Sequence, residues 1–257
     1  MDLRLTQKRV VVTGSSRGIG FGIARCFYNE GASVAITARD PHGVSVARKN
    51  LAGESSEVRT LGFAGDLTDP GEMEGLVATV KSAWGGIDVL VLNLGSGRSQ
   101  PHLTADATEW ERMLRLNLVA AAEMLRLATP LLAQGKDPAV VMIGSIAGAE
   151  AWDAPWAYGA AKAGLAHLVK QAARYLAAQN IRVNMVAPGN IFFEGGTWDK
   201  KLGENRKAVE SMLQEAVPQE RLGTVEEVAS AVVFLASPVS QFTTGACLVV
   251  DGGQTRH

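Results

Sequence analysis

Runs of apolar residues recur along the chain, and longer stretches with helical spacing separate them. The runs are continuous rather than alternating, which is typical of strands that are covered on both faces. The pattern predicts seven strands, at residues 10–13, 33–37, 58–63, 87–92, 139–143, 181–186 and 246–250. Strands that alternate with helices along a whole chain indicate a parallel sheet with right-handed crossovers. We therefore expect an α/β fold in which a doubly wound, seven-stranded parallel sheet carries helices on both faces.

Several helix starts are marked by residues that cap helix N-termini. Asp69 is followed by Pro70, and this pair suits the N-cap and the first helical position. Residues 108–111 and 224–227 both match the capping-box pattern, in which a threonine is followed three residues later by a glutamate. The glutamates of both boxes are therefore assigned structural rather than catalytic roles.

Two longer segments complete the predicted organisation. Residues 108–133 predict one long helix with Asn117 in its middle, where asparagine is unfavourable because its side chain competes for backbone hydrogen bonds. Residues 190–219 form the least regular segment, which we interpret as a substrate lid inserted in one domain. No linker, charge block or repeat divides the chain, so that domain is expected to span residues 1–257.

The composition is that of an ordinary globular protein. The 257 residues are 47% hydrophobic and 20% charged, and the formal net charge of −1 indicates neither a nucleic-acid nor a membrane partner. Cys26 and Cys247 are predicted to be buried, reduced thiols. The four histidines lack ligand spacing, so no metal site is expected. No apolar run approaches the roughly 18–20 residues that span a bilayer, and the expected location is the cytoplasm.

The first candidate binding site is a glycine-rich turn. The first predicted strand runs into Thr13-Gly14-Ser15-Ser16-Arg17-Gly18-Ile19-Gly20, and a helical pattern follows. Backbone N–H groups at a helix start have no intrahelical partner, and the helix dipole places positive charge there, which suits a phosphate. Glycines let the backbone turn tightly and approach a pyrophosphate. The spacing differs from the usual dinucleotide fingerprint, so the turn alone leaves open a nucleotide site or a purely structural role.

The end of the second strand indicates which nucleotide would be preferred. In a dinucleotide fold this strand end meets the adenosine ribose, where an arginine favours a 2′-phosphate. Arg39 occupies the turn, and Arg17 of the glycine-rich turn can approach the same phosphate. Asp40 is interpreted as the N-cap of the helix that starts at Pro41. The alternative is that both arginines are simply solvated.

Polar residues elsewhere have a structural and a functional interpretation. Asp66 follows the third strand, where it can accept from an adenine amino group or form an Asx turn. Asn93 and Gly95 follow the fourth strand, where the glycine permits close approach of a cofactor and the asparagine can instead brace the turn. Asn117 either joins helices by hydrogen bonding or belongs to the site.

The strongest chemical signal lies after the fifth strand. Tyr158 and Lys162 are four residues apart, so they share one face of a predicted helix. A tyrosine has a pKa near 10, and a fixed ammonium nearby favours the phenolate and lowers that pKa. Ser145 stands at the carboxyl end of the strand, where open α/β sheets bind ligands. Taken alone, a tyrosine and a lysine at this spacing more often form a half-exposed surface pair.

In this order, the motifs resemble those of the short-chain dehydrogenase/reductase family over essentially the whole chain. The matching pieces are Thr13-Gly14-x-x-x-Gly18-Ile19-Gly20, Asp66, Asn93-x-Gly95, Asn117, Ser145, Tyr158-x-x-x-Lys162, Pro188-Gly189 and Asp251-Gly252-Gly253. Within the family, the chain is most similar to the NADPH-dependent 3-oxoacyl-carrier-protein reductases and to related sugar or polyol dehydrogenases. The resemblance implies a single Rossmann-fold domain and an NADP(H)-dependent oxidoreductase.

The resemblance also implies roles for individual residues. Tyr158 protonates the carbonyl oxygen in reduction, Lys162 lowers the pKa of Tyr158 and holds the nicotinamide ribose, and Ser145 positions the reacting oxygen. Asn117 holds a water in a proton relay. Implied cofactor contacts are Gly14, Ser16, Arg17, Gly18, Ile19, Gly20, Arg39, Asp66, Leu67, Asn93, Gly95, Tyr158, Lys162, Pro188, Gly189 and Ile191.

The implied partners are small molecules. The implied reaction reduces a ketone, such as a 3-oxoacyl thioester, to a secondary alcohol, and the alternative is a sugar, a polyol or another secondary alcohol as substrate. In relatives the glycine-rich C-terminal tail and the long helices form subunit contacts, which implies a homotetramer or a dimer.

Two positions depart from the family pattern. Leu94 stands where alanine is usual between the asparagine and the glycine after the fourth strand. Phe193 stands four residues after Gly189, where a family threonine often binds the nicotinamide carboxamide. The backbone of Ile191 is the expected substitute for that contact.

Aromatic residues and one arginine are candidates for the substrate pocket. Trp152 and Trp156 flank the start of the catalytic helix and either form a wall of the pocket or pack in the core. Gly195 with Gly196 is a possible hinge of the lid. Arg98, in the loop after Gly95, either meets an anionic group or is solvated.

Overall fold

The computed structural model describes residues 2–53 and 59–256. Its seven strands are β1 (Arg9–Val12), β2 (Ser33–Ala38), β3 (Thr60–Ala64), β4 (Val89–Leu92), β5 (Ala139–Ile143), β6 (Arg182–Pro188) and β7 (Cys247–Val250). All seven predicted strands are present, and their bounds differ from the prediction by about two residues. The predicted start of the third strand at residue 58 lies outside the described residues.

The strands form one parallel sheet in the order β3-β2-β1-β4-β5-β6-β7. The order reverses between β1 and β4, so successive connections leave the sheet in opposite directions at this point. A crevice therefore opens beyond the carboxyl ends of these two strands, which is where doubly wound folds bind ligands. The predicted α/β fold class is confirmed.

Helices cover both faces of the sheet. They are α1 (Gly18–Asn29), α2 (Pro41–Ala52), α3 (Pro70–Trp84), α4 (Ala107–Leu114), α5 (Ala120–Leu132), α6 (Trp156–Leu176), α7 (Thr197–Ala216) and α8 (Val225–Ala236). One core cluster joins α3, α5 and α6 to the sheet, and a second joins α1, α2 and α8 to the other face. Burial on both sides explains why the strands are continuous apolar runs.

The predicted helix starts are only partly correct. Asp69 accepts from the backbone N–H of Gly71 and Glu72, and Thr224 forms the predicted capping box. The box at 108–111 is wrong, because the helix begins at Ala107 and Asp106 caps it by accepting from the N–H of Glu109 at 2.9 Å. Aspartate is as good an N-cap as threonine, and it occurs two residues earlier.

The predicted long helix at 108–133 is one continuous helical segment with a defect. A π-helical turn at Arg115–Val119 separates α4 from α5 and contains Asn117. Such turns widen the helix by one residue and are frequent at functional sites. The defect contains the polar residue that the apolar pattern left unexplained.

The segment at 190–219 is more regular than predicted. Most of it forms α7, which is kinked at Asn205, where φ is −155° and ψ is 84°. The only residues of this helix that are fully buried are Val209 and Leu213, so its apolar stripe is too narrow to mark a helix in the sequence.

The predictions for the two cysteines are wrong in part. Cys26 is half-buried, and Cys247 is exposed on β7, at the edge of the sheet, although both are free thiols. Burial was inferred from apolar neighbours, but an edge strand leaves one side of its residues uncovered. Among the described residues, no helix combines the length and the apolarity needed to cross a bilayer.

Candidate active site

The glycine-rich turn is held tightly against neighbouring strands. The N–H of Gly14 donates to Thr37 Oγ1 at 3.0 Å, and the N–H of Ser15 donates to the Thr37 carbonyl at 2.8 Å. A Cβ added to Gly20 would lie 2.5 Å from Asn93 Nδ2 and still closer to the Gly14 carbonyl oxygen. Only glycine fits this position, because the turn and the first turn of α1 are in backbone contact.

The N-terminus of α1 has no capping side chain. Arg17 occupies the N-cap, its side chain makes no capping bond, and the first turn contains no acidic residue. The first N–H groups of the helix therefore lack a partner from their own helix and lie at the positive end of its dipole. This arrangement fits a phosphate group.

Asn93 braces the same turn from β4. Its Nδ2 donates to the carbonyl oxygens of Thr13 and Gly14, both at 3.0 Å, while its backbone N–H donates to Thr13 Oγ1 at 2.9 Å. The structural interpretation of Asn93 is thus present. The amide joins the ends of β1 and β4 and fixes the crevice between them.

The side chains assigned to the adenosine end differ in how they are engaged. Arg17 and Arg39 are exposed, and neither forms an ion pair in the described part of the chain. Asp40 caps α2, as predicted, by accepting from the N–H of His42 and Gly43. Asp66 forms the Asx turn of the alternative interpretation, in which Oδ1 accepts from the N–H and hydroxyl of Thr68.

Leu67 and Ser16 are two further residues that the resemblance implies as cofactor contacts. Leu67 is buried in the core, so only its backbone can meet a ligand. Ser16 is half-buried in the glycine-rich turn, next to Arg17.

The catalytic candidates converge between β5 and α6. Ser145 follows β5 and caps a short 3-10 turn by accepting from the N–H of Ala147 at 3.2 Å. Tyr158 and Lys162 lie on the first turns of α6, with Lys162 Nζ 5.8 Å from the centre of the Tyr158 ring. A side-chain hydrogen bond links Tyr158 to Ser145. The surface-pair alternative does not hold, because Lys162 is only 4% exposed.

Burial dominates the protonation of both groups. It raises the pKa of Tyr158, and the hydrogen bond with Ser145 opposes this only in part. Burial also lowers the pKa of Lys162 to about 8. The pKa of Tyr158 is thus raised overall, and the lowering by Lys162 that the family resemblance implies stays a prediction. The ammonium of Lys162 donates to the Ile143 carbonyl at 2.8 Å, and the low-polarity surroundings disfavour the charge on either side chain.

Asn117 ties the π-helical turn to the loop after β4. Its Oδ1 accepts from the N–H of Ser96 at 2.9 Å, and its Nδ2 donates to the carbonyls of Ser96 and Met113, both at 3.1 Å. The residue is 1% exposed. Its amide is thus a positioning element that holds the loop beside Lys162.

Gly95 lies against both Asn117 and Lys162, so a side chain at this position should disturb both residues. A Cβ added there would lie 2.7 Å from Asn117 Oδ1 and 3.2 Å from Lys162 Nζ. Gly95→Ala is expected to lower kcat by about one hundredfold, because small displacements of catalytic groups have costs of that order. Steady-state kinetics with the best ketone substrate would measure it.

Gly97→Ala is the matched control. Its Cβ would lie 3.8 Å from the Tyr158 ring, an ordinary contact distance. We expect a clearly smaller loss for this variant. Equal losses in both variants would contradict the assignment, since any change in the loop would then have the same effect.

The end of β6 supplies the last side of the crevice. The N–H of Gly189, after Pro188, donates to the Val250 carbonyl at 2.9 Å. Ile191 forms a parallel bridge with Gly223, which bonds to the backbone of residues 190 and 192. In this pairing the N–H and C=O of Ile191 point away from Gly223. The expected contact with the carboxamide needs these two groups to be unused by the bridge.

Sequence reasoning missed one residue that lies near the start of α6. His102 has φ of 44°, its Nε2 lies 3.2 Å from Asp153 Oδ1, and its ring lies 5.7 Å from that of Trp156. The unusual backbone angle gives no signal in the sequence. Trp156 is 50% exposed, so it does not pack in the core, and its role as a wall of the substrate pocket stays a prediction; Trp152 is half-buried.

Arg98 fits neither of its two interpretations fully. It is exposed, and its Nη2 lies 3.5 Å from the Gly195 carbonyl oxygen. The arginine thus joins the loop after β4 to the segment before α7. In residues 2–53 and 59–256, no three histidine, cysteine or carboxylate side chains form a group that could hold a metal.

The candidate residues from the four central strands meet at one edge of the sheet. Thr13 and Gly14 follow β1, Asn93 follows β4, Ser145 follows β5 and Gly189 follows β6. A helix start that fits a phosphate and a serine–tyrosine–lysine group therefore border the same crevice. The arrangement can hold a dinucleotide beside an acid–base group.

Comparison with known proteins agrees with this geometry. The family profile described as enoyl-(acyl carrier protein) reductase matches residues 14–255. The 3-oxoacyl-[acyl-carrier-protein] reductase FabG of Vibrio harveyi is 34% identical over 251 residues, which are 98% of each protein. The isoepoxydon dehydrogenase patN of Aspergillus clavatus is 33% identical over 250 residues, covering 95% of this chain and 93% of that protein.

A solved structure shows the same fold throughout. L-sorbose reductase from Gluconobacter frateurii, complexed with NADPH and L-sorbose, matches with a TM-score of 0.93 at 30% identity and covers 100% of both chains. The predicted resemblance is confirmed by these matches: the chain belongs to the short-chain dehydrogenase/reductase family of oxidoreductases.

Proposed function

We propose that this protein is an NADP(H)-dependent reductase that converts a ketone, such as a 3-oxoacyl thioester, to a secondary alcohol. The observation that carries the proposal is the position of Tyr158, Ser145 and the buried Lys162 at the same end of the sheet as the uncapped N-terminus of α1. When bound, the nicotinamide supplies the hydride, and the protein supplies orientation and electrostatics.

The residues present fit the dinucleotide. The uncapped first turn of α1 would offer N–H groups to the pyrophosphate, the backbone of Ile191 would bind the carboxamide, and the ammonium of Lys162 would donate to a ribose hydroxyl. Exposed Arg17 and Arg39 stand at the ribose end and favour a 2′-phosphate.

Tyr158 acts as the acid in reduction. Because burial raises its pKa, the phenol keeps its proton at neutral pH and can donate it to the carbonyl oxygen as the hydride arrives at the carbon. Ser145 is within hydrogen-bond reach of the phenol and can donate to the same oxygen. In the oxidation direction, the same phenol must first lose its proton, which burial makes unfavourable.

The preference for NADPH gives a second prediction. Arg39→Ala is expected to lower kcat/KM for NADPH by about tenfold to one hundredfold, because hydrogen bonds to charged groups contribute about 1.5–3 kcal/mol. The value for NADH should change little. Arg25→Ala, on α1 and paired with Glu226, removes the same charge away from the crevice and should leave the ratio unchanged. A higher kcat/KM for NADH in the unmodified protein would refute the cofactor assignment.

Two substrate classes are supported by different observations. Trp156 and Leu103 expose apolar surface near the start of α6, which favours an acyl chain. The structural likeness to L-sorbose reductase favours a sugar or polyol.

Turnover of a substrate panel, monitored by the absorbance of NADPH, distinguishes the two substrate classes. Turnover of an acetoacetyl thioester without turnover of L-sorbose or polyols would establish the first class, and the reverse would establish the second. Absence of turnover with every ketone and alcohol, despite NADPH binding, would refute the reductase proposal.

The proposal includes a homotetramer or a dimer in the cytoplasm. Phe242 is fully exposed, and Cys247 and Leu248 are exposed on the edge strand β7. Apolar side chains on a sheet edge favour association with another chain. Light scattering on the purified protein would give the mass, and a monomer at micromolar concentration would contradict this part of the proposal.

A further inference from the structure

A short turn stands over the glycine-rich turn and is fixed at both ends. On one side, the N–H of Phe192 donates to the Gly223 carbonyl at 2.8 Å. On the other side, the N–H of Gly196 donates to the Phe193 carbonyl at 3.0 Å, and the N–H of Gly195 donates to Asp199 Oδ2 at 2.8 Å. We call residues 193–196 the covering turn.

The ring of Phe193 lies directly on the start of α1. A Cβ added to Gly18 would be 2.8 Å from Phe193 Cε2 and 3.0 Å from its Cζ. A Cβ added to Gly196 would be 3.0 Å from the same Cζ. The ring is thus held between two glycines, and any larger residue at either position would displace it.

This position matters because Gly18 begins the helix whose free N–H groups fit a pyrophosphate. A phenyl ring has no lone pair that could accept a hydrogen bond from those N–H groups. A dinucleotide that reaches them must pass the ring. Once bound, it must pass the ring again to leave.

Two cations flank the covering turn. Arg98 Nη2 lies 3.5 Å from the Gly195 carbonyl oxygen, and Arg17 Nη1 would lie 3.7 Å from a Cβ added to Gly195. Gly195 has φ of +70°, a conformation that glycine adopts without strain. The two cations beside the turn attract an anionic ligand.

We propose that Phe193 controls the rate at which NADP(H) exchanges with this protein. The inference rests on the proposed function only in that the dinucleotide occupies the start of α1. Phe193 cannot make the carboxamide hydrogen bond that the family threonine makes. It acts instead as a steric latch that slows both association and dissociation.

Stopped-flow fluorescence of NADPH binding to the full-length protein tests the latch. For Phe193→Ala, we expect both rate constants to rise by about tenfold, while Kd changes much less, because a gate lowers both rates together. Phe193→Leu keeps apolar bulk without the ring and should give intermediate rates. Circular dichroism would verify that both variants are folded.

Phe192→Ala is the matched control. Phe192 is adjacent and 41% exposed, and consecutive side chains of an extended segment point to opposite faces. Its removal should leave the rates unchanged. The latch would be refuted by rates in Phe193→Ala within twofold of the unmodified protein, by a rise in dissociation alone, or by an equal effect of Phe192→Ala.

The outcomes separate this inference from the function on which it rests. If neither NADPH nor NADH binds the unmodified protein, the proposed function fails and the latch fails with it. If NADPH binds and a ketone is reduced while Phe193→Ala leaves the rates unchanged, only the latch is wrong.

Discussion

Tyr158→Phe lowers kcat for ketone reduction by about a thousandfold, within the range that general acid catalysis contributes, and leaves NADPH binding intact. The variant removes one oxygen and keeps the ring, so the packing at the start of α6 is preserved. What is lost is the proton donor, which burial keeps protonated at neutral pH. Single-turnover absorbance at saturating NADPH measures the chemical step without the contribution of cofactor exchange.

Tyr175→Phe supplies the control for that experiment. Tyr175 lies on the same helix and is 77% exposed, so the loss of its hydroxyl should not change kcat. The dissociation constant for NADPH should agree between both variants and the unmodified protein. Retention of more than a tenth of kcat in Tyr158→Phe would show that another group donates the proton.

The sheet could be predicted because its physical cause is local. A strand that is covered on both faces must be apolar at every position, so the runs at β1, β4 and β5 identify themselves without knowledge of their partners. Parallel order and handedness then follow from the intervening helices. The α7 helix was missed because it buries too few residues to leave a pattern.

The residues of the candidate site could be predicted from the sequence, but their burial and pKa values could not. Ser145, Tyr158 and Lys162 could be named because their order and spacing match a family. Their burial could not, since it depends on elements far away in the sequence. Burial of both groups raises the pKa of Tyr158 and lowers that of Lys162, and neither shift could be predicted from the spacing of the two residues.

Contacts between residues that are far apart in the sequence could not be predicted either. That Asn117 holds Ser96, and that the Phe193 ring lies on Gly18, depends on loops brought together by the sheet. Asp66 shows the converse case, in which a local Asx turn correctly stood as the alternative.

Lys162→Met is expected to lower activity and raise stability at the same time. Burial lowers the pKa of Lys162 from its ordinary value to about 8, which means that the folded protein disfavours the charged form by about 3 kcal/mol. Methionine has a similar length and carries no charge. It leaves the Ile143 carbonyl without its donor, at a cost of about 1 kcal/mol, so the net gain in the free energy of unfolding is about 2 kcal/mol.

The pH dependence of this gain has a definite sign. Below pH 8, Lys162 is charged in both the folded and the unfolded chain, and the folded state bears the whole cost. Between about pH 8 and the ordinary lysine pKa, the unfolded chain binds more protons than the folded one, so the stability of the unmodified protein rises with pH. The advantage of the variant should therefore be largest near pH 7 and shrink toward pH 10.

Thermal unfolding at pH 7 and pH 10 measures both effects. Lys162→Met should raise Tm by about 5 °C at pH 7, given the usual scaling for a chain of this size, while ketone reduction falls by about one hundredfold or more. Lys170→Met, on the exposed side of α6, should change neither Tm nor kcat. A lower Tm for Lys162→Met at pH 7 would mean that the ammonium stabilises the fold. The site would then hold that charge through interactions stronger than its single hydrogen bond to Ile143.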